Sequence, residues 1–113
     1  MTGPFRLGWS MDYPSPQNYL EPLYSTSALP PAGDNKTFYS NTAFDTLLSE
    51  GNAASNNEAA IALYQQAEDL LLEDMPIAPL WFGLEQAVFS ERVGGVKIDA
   101  FGRVDAAQVT VLE

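Results

Sequence analysis

The residues of this sequence best placed to do chemistry lie in one short run, Gly8-Trp9-Ser10-Met11-Asp12-Tyr13-Pro14-Ser15-Pro16. Pro14 pushes Tyr13 towards an extended backbone and Pro16 does the same to Ser15, so no helix runs through this stretch. Just before it, Phe5 to Ser10 sets Phe5, Leu7 and Trp9 on one face, the alternation of a half-buried strand. The result is a strand end carrying an indole and a carboxylate on a stiff turn, a place where binding groups commonly sit. A carboxylate beside an indole is a sensible receptor for a primary ammonium. The acid supplies charge-assisted hydrogen bonds and the ring supplies an apolar or cation–π wall. Unpaired strand-edge N–H and C=O groups around Gly8 and Ser10 would also suit an extended peptide adding as a strand. The residues alone leave a plainer role open for each. Asp12 in a turn would accept hydrogen bonds from nearby backbone N–H groups, and a strand Trp such as Trp9 would sit in the core.

Other chemistry is largely excluded. The sequence has no Cys and no His, which removes thiolate catalysis, disulfides, Ser-His-Asp catalysis and the usual zinc sites together. Gly94-Gly95 lacks the spacing and following helix of a phosphate loop. Glu73 and Asp74 are adjacent, so on a helix they point to different sides, whereas paired-carboxylate catalysis needs two acids facing one cleft. Asp34-Asn35 has too few ligands in order for a calcium loop. No catalytic residue, metal ligand or cofactor is therefore assigned, and binding remains. Fifteen acidic against five basic residues give a net charge of −10, which speaks against nucleic acid and anionic lipid surfaces and suits a cationic or amine-bearing ligand.

At 46% hydrophobic and 12% aromatic residues the chain is composed to fold, as one domain at most. No window approaches the roughly 18 apolar residues of a membrane span. After Met1 the sequence goes straight to Thr2-Gly3-Pro4-Phe5 with no charged and apolar leader, as in a mature exported protein or an excised piece of one.

The elements that must position the run follow in order. A short helical turn is expected over Asn18 to Tyr24, with Pro22 limiting it or lying in its first turn. Residues 25–40 are rich in Pro, Gly and Asn and read as a long connection, functional or packed against something outside this chain, with Phe38 and Tyr39 tacking it down. Asn41 to Ser49 reads as a helix capped near Asn41 or Thr42, with Gly51 just past its end. Ser55 and Glu58 form a Ser-x-x-Glu capping box for a helix to about Glu73. Its apolar stripe is Ala60, Leu63, Tyr64, Ala67, Leu70 and Leu71. Glu68, Asp69, Glu73 and Asp74 read as a solvated face with no chemistry. Pro76 stops the helix. Ile77 to Leu84 reads as a buried strand that Ala87 to Ser90 continues. Gly94-Gly95 is a turn, Val96 to Ile98 a strand, Phe101 to Arg103 a turn and Val109 to Leu112 a closing strand. The order predicts an α+β arrangement with helices on a mixed sheet. An opening strand without a sequential partner and an uncovered final strand suggest a fragment of a larger domain.

The residues also carry a resemblance. The run from Gly8 to Pro16, then Tyr39-Ser40-Asn41 with Phe44-Asp45-x-Leu47-Leu48, then Leu63-Tyr64-x-x-Ala67-Glu68 and Glu73-Asp74-x-Pro76-Ile77-x-Pro79-Leu80, resemble the C-terminal part of family 5 extracellular solute-binding proteins. Val93-Gly94-Gly95-Val96 fits the same pattern. These are the oligopeptide- and dipeptide-binding components of ABC importers. The resemblance implies a two-lobed, type II-like periplasmic-binding fold, of which residues 1–113 would be the later half of the C-terminal lobe, with a final strand returning towards the first lobe. It implies an extracytoplasmic location, periplasmic or as a surface lipoprotein anchored through a missing N-terminus. It implies as partners a peptide or small solute, the permease subunits and the remaining lobes of the parent protein. By matching position, Asp12 would hold a ligand's α-amino group, Trp9 would line a side-chain pocket, and the backbone from Gly8 to Ser10 would pair with the peptide.

Two rival readings follow. Members of the family also carry nickel complexes, sugars and other solutes, in which case Asp12 only braces the turn. Alternatively, the chain is a free-standing interaction domain whose aromatic run Leu80 to Leu84 is the partner surface. Apolar surface left bare by a missing part of the lobe would make the isolated chain self-associate.

Overall fold

The computed structural model describes residues 3–112. In order come helix α1 (Gln17–Tyr24), a 3-10 turn at Thr26–Ala28, α2 (Thr42–Asn52), α3 (Asn57–Asp74), strand β1 (Val93–Gly94), a 3-10 turn at Ala106–Gln108 and β2 (Thr110–Val111). The α+β class of the sequence reading holds. The chain divides into two compact units, Met1–Pro79 with the helices and Leu80–Glu113 with the strands. No helix among the described residues is long and apolar enough to cross a membrane.

The helical unit is built from three amphipathic faces. Leu20, Leu23 and Tyr24 of α1, Phe44 and Leu48 of α2, and Tyr64, Ala67 and Leu71 of α3 form one buried cluster. The spacings Phe44, Leu48 and Tyr64, Ala67, Leu71 are the three- and four-residue steps that keep one helix face inward. Trp9, Tyr39 and Ile77 pack half-buried against this cluster. Each large side chain buried here contributes roughly 1.5–3 kcal/mol.

Helix ends depart from the sequence reading in instructive ways. Asn41 caps α2 as expected, its Oδ1 accepting from the N–H of Ala43 at 2.9 Å and of Phe44 at 3.3 Å. Gly51, expected as the stop, lies inside α2, which continues to Asn52. A Cβ at Gly51 would stand 2.5 Å from Cε1 of Tyr64, so this glycine makes room for a ring on α3. The cap of α3 is Asn56, one residue beyond Ser55, because the Asn56 Oδ1 reaches the Ala59 N–H at 2.9 Å. At the other end Met75 adopts the left-handed conformation (φ 45°, ψ 51°). That placement fits a residue barred from the right-handed helix by the proline that follows. Pro22 is inside α1, beyond its first turn.

The long connection is tied together around one buried side chain. Asn35 is fully buried; its Nδ2 donates to the carbonyls of Ser25 (3.0 Å) and Tyr39 (2.8 Å), and its Oδ1 accepts from Thr37 Oγ1 at 2.9 Å. Tyr39 then packs edge-on against Phe44, centroids 5.5 Å apart, while Phe38 is exposed.

Several expected strands do not form. Phe5 to Ser10 has no secondary structure, and neither Ile77 to Leu84 nor Ala87 to Ser90 enters a ladder. The run expected to be buried is bare: Phe82 is 103% exposed and Leu84 81%. A strand exists only where a second backbone pairs with it along a ladder, and among the described residues the ladder excludes these runs. In place of the mixed sheet, the described residues hold a two-stranded antiparallel ribbon pairing Val93 with Val111 and Gly94 with Thr110. Gly94 is therefore strand, and Gly95 (φ 73°) makes the bend, where a Cβ would meet the Gln108 carbonyl oxygen at 2.1 Å. The strand expected over Val96 to Ile98 is reduced to one bridge, Ile98 with Val104. The turn between them is closed by Asp99, whose Oδ1 accepts from the N–H groups of Phe101 (2.8 Å) and Arg103 (2.9 Å). Those bonds, the Arg103 one foremost, hold the Asp99 carboxyl below the usual carboxylate range.

Candidate ligand-binding site

Each residue singled out at the chain's start belongs to the helical unit. Gly8, Ser10 and Asp12 are exposed and Trp9 is half-buried against the helical core. A Cβ built on Gly8 meets nothing within 4 Å, so the backbone there borders open space. Among the described residues, the backbone groups of Gly8, Trp9 and Ser10 make no backbone hydrogen bonds. The plainer role for Trp9 is thus realised in its packing. Its indole Nε1, however, is buried with no hydrogen-bond partner in the described residues. A buried donor left so costs roughly 1–3 kcal/mol, and a buried Trp N–H usually finds an acceptor.

Asp12 is held from below. Its backbone N–H donates to Oδ1 of Asn18 at 2.8 Å, and Asn18, the second residue of α1, is 6% exposed. The intervening turn is closed by Ser15 N–H to the Tyr13 carbonyl at 2.8 Å and Asn18 N–H to the Ser15 carbonyl at 3.0 Å. Tyr13 Oη donates to the Gln17 side chain, Gln17 Nε2 to Glu21, and Asn52 Nδ2 to the same Glu21 oxygen at 3.2 Å. Tyr64 Oη donates to Asn52 Oδ1 at 2.8 Å, so polar contacts run from the proline turn across α1 to α2 and α3. Sequence reasoning missed Asn18. Its only signal was an Asx residue close behind a proline turn, where such side chains bond nearby backbone.

The acids set aside as a solvated face include one with a definite partner set. Asp74 Oδ2 accepts from Tyr39 Oη and from Asn41 Nδ2, both at 2.8 Å. These bonds, Tyr39 first, hold the Asp74 carboxyl below its ordinary value. Burial, followed by the hydrogen bond to Asp74, pushes the Tyr39 hydroxyl up to about 12. This clasp ties the end of α3 to the start of α2 and offsets an acid at the unfavourable end of a helix dipole.

Two hollows among the described residues are lined without Gly8, Trp9, Ser10 or Asp12. One of about 320 Å³ is lined by Glu21, Ser25, Ser27, Asp45, Leu48, Ser49 and Asn52. The other, about 460 Å³, lies in the strand unit and is lined by residues such as Lys97, Asp99, Arg103 and Asp105. Both are open hollows at the small end of ligand-pocket sizes.

The proteins to which this chain is similar are named for what they bind. No protein-family model matches the chain. It is 33% identical over 105 residues to the probable di/tripeptide-binding protein 5 of Pseudomonas aeruginosa, covering 93% of this chain and 20% of that protein. It is 34% identical over 95 residues to heme-binding protein A of Haemophilus influenzae, covering 84% of this chain and 17% of that protein. Further relatives are named as oligopeptide-binding or peptide transport proteins, some of them periplasmic. A solved structure of HbpA2 from Haemophilus parasuis superimposes with a TM-score of 0.61 at 25% identity, over 85% of this chain and 18% of that one. Over most of its length the chain is thus similar to one part of peptide-binding proteins, as the resemblance to family 5 extracellular solute-binding proteins implies. It spans about a fifth of the length of the relatives it matches.

Proposed function

We propose that the chain works as the later half of the C-terminal lobe of a longer solute-binding protein that captures peptides outside the cytoplasm and hands them to the permease of an ABC importer. On this reading Asp12 takes the α-amino group of the peptide, Trp9 forms the wall of a side-chain pocket, and the main chain from Gly8 to Ser10 pairs with the ligand. The protein acts by binding and closure of its lobes, with no chemical step. The observation that carries the reading is the exposed Asp12 carboxylate, on a backbone tied to Asn18, next to three residues whose backbone groups lack backbone partners. Kinship with a di/tripeptide-binding protein over 93% of the chain supports peptides as the ligand class. The net charge of −10 favours a ligand that presents an amine. An N-terminal lipid anchor on the longer protein would suit the same location.

The test is calorimetric titration of the full-length protein, wild type and Asp12→Ala, with a mixture of di- and tripeptides and with the same mixture after N-acetylation. Acetylation and the substitution should each weaken binding by about 2 kcal/mol or more, the scale of losing a buried charged partner. Equal binding of the two mixtures would leave Asp12 a turn brace. It would favour the second reading, a non-peptide solute, for which the kinship with a heme-binding protein is the supporting observation.

A further inference from the structure

Asn18 is one of three buried polar residues among those described, and it is the one whose side chain reaches back to the proposed ligand anchor. We infer that Asn18 is a positioning residue for ligand recognition, which sets the direction of the Asp12 carboxylate by holding the Asp12 N–H; the inference rests on the reading of Asp12 as the amine anchor. Three observations combine. First, Asn18 is itself fixed: it sits at 6% exposure on α1, whose Leu20, Leu23 and Tyr24 are buried in the core. Second, the bond from Asp12 N to Asn18 Oδ1, 2.8 Å long, spans a turn containing Pro14 and Pro16, whose φ angles are fixed by their rings. The turn is closed again by the bonds from Ser15 to Tyr13 and from Asn18 N–H to Ser15. Third, the side chain of Asp12 is exposed although its backbone N–H is held. The N–H and the Cα–Cβ bond leave adjacent atoms, so fixing the N–H narrows the range of positions open to the carboxylate.

A charge-assisted hydrogen bond to an ammonium depends on that restriction. A carboxylate on a loose turn must be ordered when the ligand arrives, and ordering one residue's backbone corresponds to roughly tenfold in affinity. The amide of Asn suits the task. It accepts the N–H without placing a second charge in a nearly buried position, which a carboxylate there would do. An apolar residue of similar size would keep the packing of α1 and lose the acceptor.

The experiment uses the full-length protein and the same two peptide mixtures. The quantity read is the ratio of affinities for the free-amine and N-acetylated forms, in wild type, Asp12→Ala, Asn18→Leu and the double variant. Wild type should discriminate by roughly thirtyfold, matching loss of a charged partner. Asn18→Leu should cut that ratio about tenfold while leaving affinity for the acetylated mixture unchanged, and should add nothing when Asp12 is already Ala. A ratio unchanged in Asn18→Leu, with wild type discriminating, overturns the role of Asn18 and leaves Asp12 as the anchor. An equal loss of affinity for both mixtures shows Asn18 to be structural only and likewise overturns it. Wild type that does not discriminate removes the anchor reading itself. Should Asn18→Leu fail to fold, amide hydrogen exchange on the wild-type protein decides. An Asp12 amide exchanging at least tenfold more slowly than the Ser10 amide upholds the tether, and equal rates overturn it.

Discussion

Gly51 offers the sharpest test of how the helical unit is packed. A methyl group added there would stand 2.5 Å from Cε1 of Tyr64 and 3.0 Å from its Cδ1 and Cζ. Ordinary carbon contacts are about 3.5–4.0 Å, so the ring would have to retreat by about 1 Å. It has nowhere easy to go. Tyr64 is 5% exposed, within the cluster that also holds Phe44 and Leu48, and its hydroxyl is tied to Asn52 at 2.8 Å. Forcing extra volume into such a site costs about 1–3 kcal/mol, and stretching the hydroxyl bond adds about 1 kcal/mol. Against this, Ala in place of Gly inside a helix gains about 1 kcal/mol. Gly51→Ala should therefore lose about 1–3 kcal/mol in urea unfolding followed by circular dichroism, as a lower midpoint at unchanged slope. In a Tyr64→Val background, with the ring gone, the same change should be neutral or stabilising by up to about 1 kcal/mol. A Gly51→Ala protein as stable as wild type, or the same loss in both backgrounds, would refute the packing argument, since coupling between the two positions is its whole content.

The other predictions rest on single polar contacts. Asn35→Ala should cost about 2–3 kcal/mol in the same assay, because it strips donors from the carbonyls of Ser25 and Tyr39; a change within about 0.5 kcal/mol would mean the loop is held by something else. Asp74 has a carboxyl lowered from 3.8 by Tyr39 and Asn41, so its contribution is complete above that pH and is lost as pH falls through the lower folded value. Stability measured down through that acid range should fall less steeply in Asp74→Ala than in wild type, and parallel curves would refute the clasp. The Tyr39 hydroxyl is raised from 10.0 to about 12, which stabilises the fold below pH 10 and is lost as pH rises towards 12; Tyr39→Phe should remove that alkaline loss.

How much of this was legible in the sequence depends on whether the signal was local. The three helices and their inward faces were, because period and caps are written within each segment. Where the reading slipped, the deciding contact was one that the local pattern does not encode. Gly51 looked like a helix stop, but the ring of Tyr64 is what demands it. Ser55 and Asn56 are both good caps, and only the reach of Asn56 Oδ1 to Ala59 separates them. The runs Phe5 to Ser10 and Ile77 to Leu84 have strand-like patterns, yet pattern specifies a face and not a partner backbone. The described part of the strand unit has no fully buried residue, and its apolar side chains from Leu80 to Phe89 stand exposed. At the candidate site, residue type and resemblance singled out Trp9 and Asp12. Asn18 escaped because its bond to Asp12 crosses a turn whose closure no periodicity encodes.

The same geometry bears on why the proposed recognition group sits on the helical unit. A single exposed carboxylate in water gains little from pairing with an amine, typically under about 1 kcal/mol, because both ions must be ordered and solvent screens them. To be worth more, the acid must be held before the ligand arrives and water must be excluded when it does. The first condition is met within this chain: Asp12 N–H to Asn18, Asn18 to a helix whose Leu20, Leu23 and Tyr24 are buried, and that helix through Glu21, Asn52 and Tyr64 to its two neighbours. The second requires a surface opposite the carboxylate, which the proposed closing lobes would supply. The stability of the helical core and the selectivity for an amine are on this account one property, and a substitution that loosens α1 should lower discrimination before it lowers overall affinity.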